Sequence, residues 1–319
     1  MSQPRRIVLP LISLIALAAC AHPRPDVGGA TIVQQGTVGI HGRVSDHVIV
    51  VSIDGLRPDA IAKFNAKTLQ RLMREGRYSL TAQTITNSTT LPAHTSMLTG
   101  LTEQQHGVSW NDDRVAQLGY IKSPTIFSLA HNAGFSTAAF FSKTKFHHLE
   151  QPGSLDYAIS PSNKVDNPWA SARTVKYVAE YLAHANPNLM FVHLAEPDWA
   201  GHQFGWMGWM YGNAVREADA SLAKLLREAD KKFGRGGYTM IVTSDHGGHN
   251  KSHGSATDPR DLTIPWIIWG EGVQAGDTLS GIDTMDTAAT ALWMLGLSAP
   301  SLFAGQIVAT PFTGTFTSK

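Results

Sequence analysis

Apolar, β-branched runs alternate along this chain with segments whose apolar positions recur every three to four residues. Val48-Ile49-Val50-Val51-Ser52-Ile53 is apolar on successive positions, the signature of a strand buried on both faces. The runs at 47–53, 136–141, 188–194, 238–243 and 265–269 predict strands, and the helical period predicts helices at 58–75, 169–184, 208–232 and 284–295. Strand and helix in alternation argue for a single α/β domain, with a largely parallel central sheet and helices on both faces. At 319 residues the chain is long enough for one such core without a second domain.

The first residues have another pattern. Arg5-Arg6 precede an apolar run from Ile7 to Leu17 that is too short to span a bilayer as a helix, and Ala18-Ala19 lead into Cys20, the only cysteine. The tetrad Leu17-Ala18-Ala19-Cys20 resembles a bacterial lipobox, in which the cysteine is lipidated and becomes the N-terminus. We therefore expect a lipoprotein signal peptide over 1–19, a tether over 20–45 and the folded domain over 46–319. The tether is rich in Pro, Gly, Gln and Thr and has no apolar period. The mature chain would then be exported and lipid-anchored through Cys20 alone, to a bacterial membrane facing the periplasm or the cell exterior. It would have no cysteine pair for a disulfide.

Removing Arg5 and Arg6 from the 26 basic side chains leaves 24 against 25 acidic ones. That balance offers no footprint for gripping a nucleic-acid polymer. A small phosphate ester could still bind in a local pocket.

Three strands end on a carboxylate. The first runs into Asp54, the run ending at Leu194 is followed by Asp198, and Met240-Ile241-Val242-Thr243-Ser244 runs into Asp245. An aspartate after a buried strand is ordinarily a turn residue. In an open α/β sheet, however, the carboxyl ends of parallel strands form the edge where ligands bind, so three of them converge on one crevice. Asp198 and His202 stand at i and i+4, able to face one metal from a helical turn. His246, His249 and His253 crowd into one stretch after Asp245. Aspartate and histidine without thiolate suit zinc first, with manganese or iron as alternatives. Ahead of a proline that can open a helix, Ser88-Thr89-Thr90-Leu91-Pro92 loads hydroxyls where backbone amides welcome an anion. By itself that segment could equally be a helix cap.

Taken together, Asp54, Thr90-Leu91-Pro92-Ala93-His94, His106-Gly107, Asn111, Glu196-Pro197-Asp198 with Gly201-His202, Asp245-His246-Gly247 and His253-Gly254 resemble the alkaline phosphatase superfamily. Within it the chain looks most like the nucleotide pyrophosphatase/phosphodiesterase branch, over about residues 47 to 310. The resemblance implies an alkaline-phosphatase-like fold. It also implies two zinc ions, one held by Asp198, His202 and His253 and the other by Asp54, Asp245 and His246 together with the Thr90 oxygen. Thr90 would be the nucleophile of a phosphoric ester hydrolase that passes through a phosphothreonine. Asn111 and the amide near Thr90 would hold a non-bridging oxygen. The substrate would be a small phosphate ester, with a nucleotide as one candidate.

The chain also departs from that pattern. Leu91 stands where nucleotide-cleaving members often carry an aromatic residue, and only six residues separate His246 from His253, where extracellular phosphodiesterases usually carry a long insertion. Sulfatases share the fold but need a cysteine or serine, followed by proline and arginine, to make their formylglycine. Thr90 and His94 occupy those places here. Two alternatives stay open at this level: a phosphomonoesterase of the same superfamily, and a non-catalytic zinc-binding lipoprotein. His249 is the runner-up to His253 as the third imidazole.

Overall fold

A computed structural model of the chain describes residues 42–161 and 168–312, together with strand β1 (Ile32–Val33). Cys20, the signal peptide and most of the expected tether lie outside the described residues. The central sheet has seven strands: β2 (Val48–Ile53), β3 (Arg77–Gln83), β4 (Thr137–Phe140), β5 (Tyr157–Ile159), β6 (Leu189–Leu194), β7 (Thr239–Thr243) and β8 (Thr263–Gly270). They lie in the order β3-β8-β7-β2-β6-β4-β5, and β9 (Ile307–Val308) pairs antiparallel with β1 in a separate ribbon. β2, β4, β5, β6 and β7 run parallel, and β8 is antiparallel to both β7 and β3. The strand read at 265–269 is thus the one that reverses direction.

Side chains alternate between two cores, as a strand's period of two requires. Val48 and Val50 of β2 and Leu189 and Phe191 of β6 face one core. It is shared with helix Thr90–Thr99, helix Ile126–Asn132 and helix Asp286–Met294. Ile49, Val51 and Ile53 of β2 with Met190, Val192 and Leu194 of β6 face the other, shared with helices Lys67–Glu75, Ser171–Leu182 and Trp209–Phe233. Helices therefore cover both faces, and the expected fold is observed: one α/β domain with a mixed, largely parallel sheet. Among the described residues, no helix is long and apolar enough to cross a membrane.

Two differences from the periodicity have local causes. The helix read over 58–75 is two helices, Pro58–Lys63 and Lys67–Glu75, because Asn65 turns the chain with φ 54. Asparagine is the non-glycine residue that enters that region most cheaply. Val44 and Ser45, expected at the end of a tether, are instead buried against the domain, and their backbone amides donate to the Met294 carbonyl.

Candidate metal centre and active site

Because β2, β4, β6 and β7 are parallel, their carboxyl ends share one edge of the sheet. Four segments leave it side by side: Asp54-Gly55 after β2, Ser142-Lys143 just after β4, helix Glu196–Phe204 after β6, and Ser244-Asp245-His246 after β7. Gly55 makes the close approach possible. Its φ is +69, and a Cβ there would lie 2.8 Å from the Asp198 Cα. The Asp198 amide donates to the Asp54 carbonyl at 2.9 Å, which locks the two carboxylate-bearing segments together.

Asp198 and His202 face one way from their helix, with Nε2 of His202 3.3 Å from Asp198 Oδ1. His253 completes this group: its Nε2 lies 3.6 Å from Asp198 Oδ1 and 3.1 Å from His202 Nε2. A second group joins it through Asp198. His246 Nε2 is 3.5 Å from Asp54 Oδ1, 3.2 Å from Asp245 Oδ2 and 4.0 Å from Asp198 Oδ1. All six ligand candidates read from the sequence are thus brought together. His249 is not among them: its Nδ1 lies 2.7 Å from Asp261 Oδ1, in a separate group with Asp258.

The three imidazoles are oriented from behind. Nδ1 of His202, His246 and His253 lies 3.1, 2.8 and 2.8 Å from the carbonyls of Lys251, Gly247 and Ser88. A carbonyl can only accept, so each Nδ1 carries a proton, and each ring turns its Nε2 toward the carboxylates, the atom that would bind a metal. Asp54 Oδ1, Asp198 Oδ1, Asp245 Oδ2 and His246 Nε2 are buried with no hydrogen-bond partner. Such orphans are costly, and a cation satisfies lone pairs facing one another. The donor set, nitrogen and oxygen without sulfur, fits zinc, manganese or iron.

The charges strain against one another. Burial, and then the neighbouring Asp54 carboxylate, push the Asp245 carboxyl up to about 7. Burial acts the same way on Asp54, but the Lys143 ammonium, with His193 and His246, overrides it and holds that carboxyl well below its usual range. Burial and the nearby His246 pull His253 down to about 3, so it stays neutral, as a ligand must be.

Thr90 opens the buried helix Thr90–Thr99, and its Oγ1 lies 3.5 Å from Lys143 Nζ. Of its rivals, Thr89 turns its hydroxyl to Asn87 Oδ1 at 2.8 Å, and the Ser88 hydroxyl is buried with no partner. Thr90 lines a cavity of about 550 Å³ together with Asn111, Lys143, Lys145, Asp198, Trp199, His202 and His253. Asn111 Oδ1 accepts from the Leu91 amide at 2.9 Å, which places it beside the helix N-terminus.

Three residues at this edge were not singled out from the sequence. Lys143 Nζ is 2.6 Å from Asp54 Oδ2 and 2.6 Å from Asp198 Oδ2, so it clamps the outer oxygen of each while the inner oxygens face the histidines. His193, the fifth residue of β6, donates from Nε2 to Asp54 Oδ2 at 2.9 Å and accepts on Nδ1 from Ser142. Lys145 Nζ donates to Asn111 Oδ1 at 3.1 Å, and burial together with Lys143 pulls its ammonium down to about 8. The signal for the lysines was present: the run at 136–141 feeds the same edge and is followed by Lys143-Thr144-Lys145.

Comparison with known proteins bears on the family and the fold. The family model described as type I phosphodiesterase / nucleotide pyrophosphatase matches residues 48–258. The chain is 27% identical over 219 residues to bis(5'-adenosyl)-triphosphatase enpp4 of Xenopus laevis, covering 63% of this chain and 46% of that protein. It is 24% identical over 254 residues to human ectonucleotide pyrophosphatase/phosphodiesterase family member 7, covering 73% and 52%. The chain therefore spans about half the length of the curated relatives it matches. Among solved structures, murine ectonucleotide pyrophosphatase/phosphodiesterase 5, an inactive threonine-to-alanine variant in complex with AMP, superposes with a TM-score of 0.68 at 17% identity, over 80% of this chain and 96% of that one. A 2-O GAG sulfatase superposes with a TM-score of 0.67 at 12% identity, over 86% and 76%. At these identities the structures show a shared fold.

Proposed function

Because the chain belongs to the type I phosphodiesterase / nucleotide pyrophosphatase family, within the alkaline phosphatase superfamily, we propose that it hydrolyses phosphoric ester or anhydride bonds in a metal-dependent reaction, with Thr90 as nucleophile. The observation that carries this reading is the set of buried, unpartnered ligand atoms of Asp54, Asp198, Asp245 and His246 at the edge where Thr90 opens its helix. Asp198, His202 and His253 would hold one zinc ion, and Asp54, Asp245 and His246 the other, with manganese or iron as substitutes. When bound, the pair neutralises charge on the attacking and leaving oxygens as Lewis acids.

The chain's own groups do the rest. Thr90 Oγ1 attacks phosphorus in line as its proton passes to solvent, the bond to the leaving oxygen breaks, and that oxygen takes up a proton from solvent. Water then hydrolyses the phosphothreonine and restores the hydroxyl. The Leu91 amide and Asn111 hold a non-bridging oxygen during both displacements, a role for which a helix N-terminus is suited. His193 fixes Asp54, and Lys143 fixes the facing oxygens of Asp54 and Asp198.

A nucleotide is a fitting substrate. The Xenopus relative is named for a bis-adenosyl triphosphate, the mouse neighbour holds AMP, and Trp199, Pro161 and Pro168 give this cavity an apolar wall for a leaving group. We further propose that the enzyme is exported and anchored by lipid on Cys20. Detection of that lipid by mass spectrometry of the N-terminal peptide tests the anchor. For the catalytic reading, zinc-restored protein should hydrolyse bis(p-nitrophenyl) phosphate, and acid-quenched samples should carry a phosphoryl group on Thr90. Metal-loaded protein that turns over no phosphate ester would overturn it.

A further inference from the structure

Among the described residues seven large apolar side chains are exposed, and four of them, Trp199, Phe204, Trp209 and Met210, fall between positions 199 and 210. Trp209 is the most exposed, at 72%. This stretch borders the mouth of the cavity, because Trp199, His202 and Gln203 line it. The Trp199 and Phe204 rings meet edge to face with centroids 5.9 Å apart. Helix Glu196–Phe204 ends there, and the chain reverses so tightly that a Cβ on Gly208 would lie 3.5 Å from the Gly205 carbonyl oxygen. Phe204 and Trp209 therefore flank one turn.

The turn is held in place from beneath. The buried Trp206 donates from its amide to the Asn250 carbonyl at 2.7 Å and from Nε1 to the Gly55 carbonyl at 3.0 Å, and Lys63 Nζ donates to the Met207 carbonyl at 3.0 Å. Met207 sits at φ 63, a conformation that side chains disfavour. From Gln203 to Val215 no residue is charged. A fixed turn that presents uncharged, apolar side chains to water marks a binding surface.

Three observations choose a bilayer as its partner. The side chains project from a turn and a helix start, and tryptophan, phenylalanine and methionine settle at the boundary between headgroups and acyl chains. Exposed lysines flank them: Lys63 beneath the turn, and Lys251, whose Cγ lies 4.0 Å from where a Gly205 Cβ would sit. Ammonium groups in that position meet anionic headgroups. The third is reach. From Cys20 to Ile32 of β1 is twelve residues (32 − 20), at most about 40 Å of chain. β1 pairs with β9, where the Val308 amide donates to Thr290 Oγ1, midway along helix Asp286–Met294. The six residues of β2 give the sheet a height of about 20 Å, so a lipid on Cys20 leaves the mouth edge free to meet the same bilayer and makes that contact intramolecular.

We propose, resting on the reading that Cys20 carries a lipid anchor, that Trp199, Phe204, Trp209 and Met210 form a second membrane contact, which docks on a bilayer with anionic headgroups and holds the cavity mouth at headgroup level.

The test is tryptophan fluorescence of the full-length protein in vesicles of phosphatidylcholine and phosphatidylglycerol, with acyl chains brominated or not. Bromine quenches indoles that reach the acyl chains. Wild type is compared with Phe204→Asp/Met210→Asp, which keeps every tryptophan and changes only exposed positions, so equal thermal midpoints should show that the fold is intact. The expected result is quenching at least twofold greater in wild type than in the double variant, and weaker quenching of wild type in vesicles of phosphatidylcholine alone. Equal quenching of the two proteins, or none in either, as a ridge serving a protein partner would give, overturns the proposal. Equal quenching of wild type in both kinds of vesicle overturns its anionic-headgroup part. Failure of the anchor reading looks different: the N-terminal peptide would carry no lipid in the mass spectrum, while quenching by vesicles added to that same protein would still read the ridge.

Discussion

The two halves of the ligand cluster are built differently. The Asp54, Asp245 and His246 side chains show no exposure at all, and they sit at the ends of central strands with a further layer behind them. His193 and Ser142 stand behind Asp54, and the Gly55 amide donates to Asp245 Oδ1 at 3.1 Å. The other half is carried by a helix and a loop, and its His202 side chain is 41% exposed at the cavity. Trp206 wedges this half in place. Its ring lies where a Cβ on Gly201 or Gly248 would collide, at 2.5 and 2.2 Å, and its Nε1 donates to the Gly55 carbonyl at 3.0 Å. One half is part of the core, and the other is mounted on it. Candidate ligands in the core are preorganised by folding, whereas those on the mount are set by local packing, with His202 reaching solvent.

The largest expected effect tests whether both halves act at all. Exhaustive chelation should abolish turnover, and zinc should restore it. Metal should leave in two kinetic phases, the faster one from the half containing His202, as followed by release into a chromophoric chelator. A single phase, or full activity of protein shown to be metal-free, would sink the comparison. Next in size is Thr90→Ala. It should lose at least about a thousandfold in kcat, on the order of 4 kcal/mol of transition-state stabilisation, while retaining its metal. No ligand atom in either half depends on its hydroxyl, so metal content separates lost chemistry from lost structure.

The fold and the place where the candidate ligands gather were legible in the sequence for one reason: a buried parallel strand is apolar throughout, and the turn at its carboxyl end lies on the edge where the sheet binds ligands. That logic located β2, β6 and β7 and the aspartates after them. It missed β3, whose buried positions are Ser79 and Ala82, too small and too polar to raise an apolar signal, and whose pairing with β8 shifts register between them. It missed β5, an edge strand of three residues. Lys143 and Lys145 went unread because cations after a strand look like ordinary surface residues until neighbouring strands surround them. Lys143 is a site residue only because parallel pairing of β4 with β6 carries it to Asp54 and Asp198.

A middle-sized effect probes the layer behind the buried half. His193→Ala removes the donor to Asp54 Oδ2 without touching a ligand atom, so metal affinity should fall by about 10 to 100-fold, as is usual for partners behind a metal ligand. His202→Ala should release metal from the open half with little change in thermal stability, because its side chain is partly in solvent. Equal destabilisation by His193→Ala and His202→Ala would mean that the halves are not distinct.

The smallest expected effect separates imidazoles that wait for a cation from one that is already satisfied. His106 lies outside both halves. Its Nδ1 accepts from the Val108 amide at 3.0 Å, and its Nε2 donates to Ser96 at 2.9 Å, so the neutral ring is complete. Burial pulls it down to about 4. Above the unfolded value near 6.5 both states are neutral and its contribution is fully present. As pH falls below 6.5 the unfolded chain takes a proton that the folded chain refuses until about 4, so stability drains across that window. The loss amounts to about 2 kcal/mol after allowing for solvent screening. His106→Gln should therefore flatten the metal-free protein's stability between pH 6.5 and 4 by that amount. His253 is also depressed, to about 3, but its Nε2 faces the cluster. Zinc competes with its proton, so added metal should move the acid transition of wild type and His106→Gln equally while leaving the difference between them unchanged. If zinc erased that difference, His106 would be coupled to the metal centre, and the separation of a satisfied histidine from waiting ones would fail.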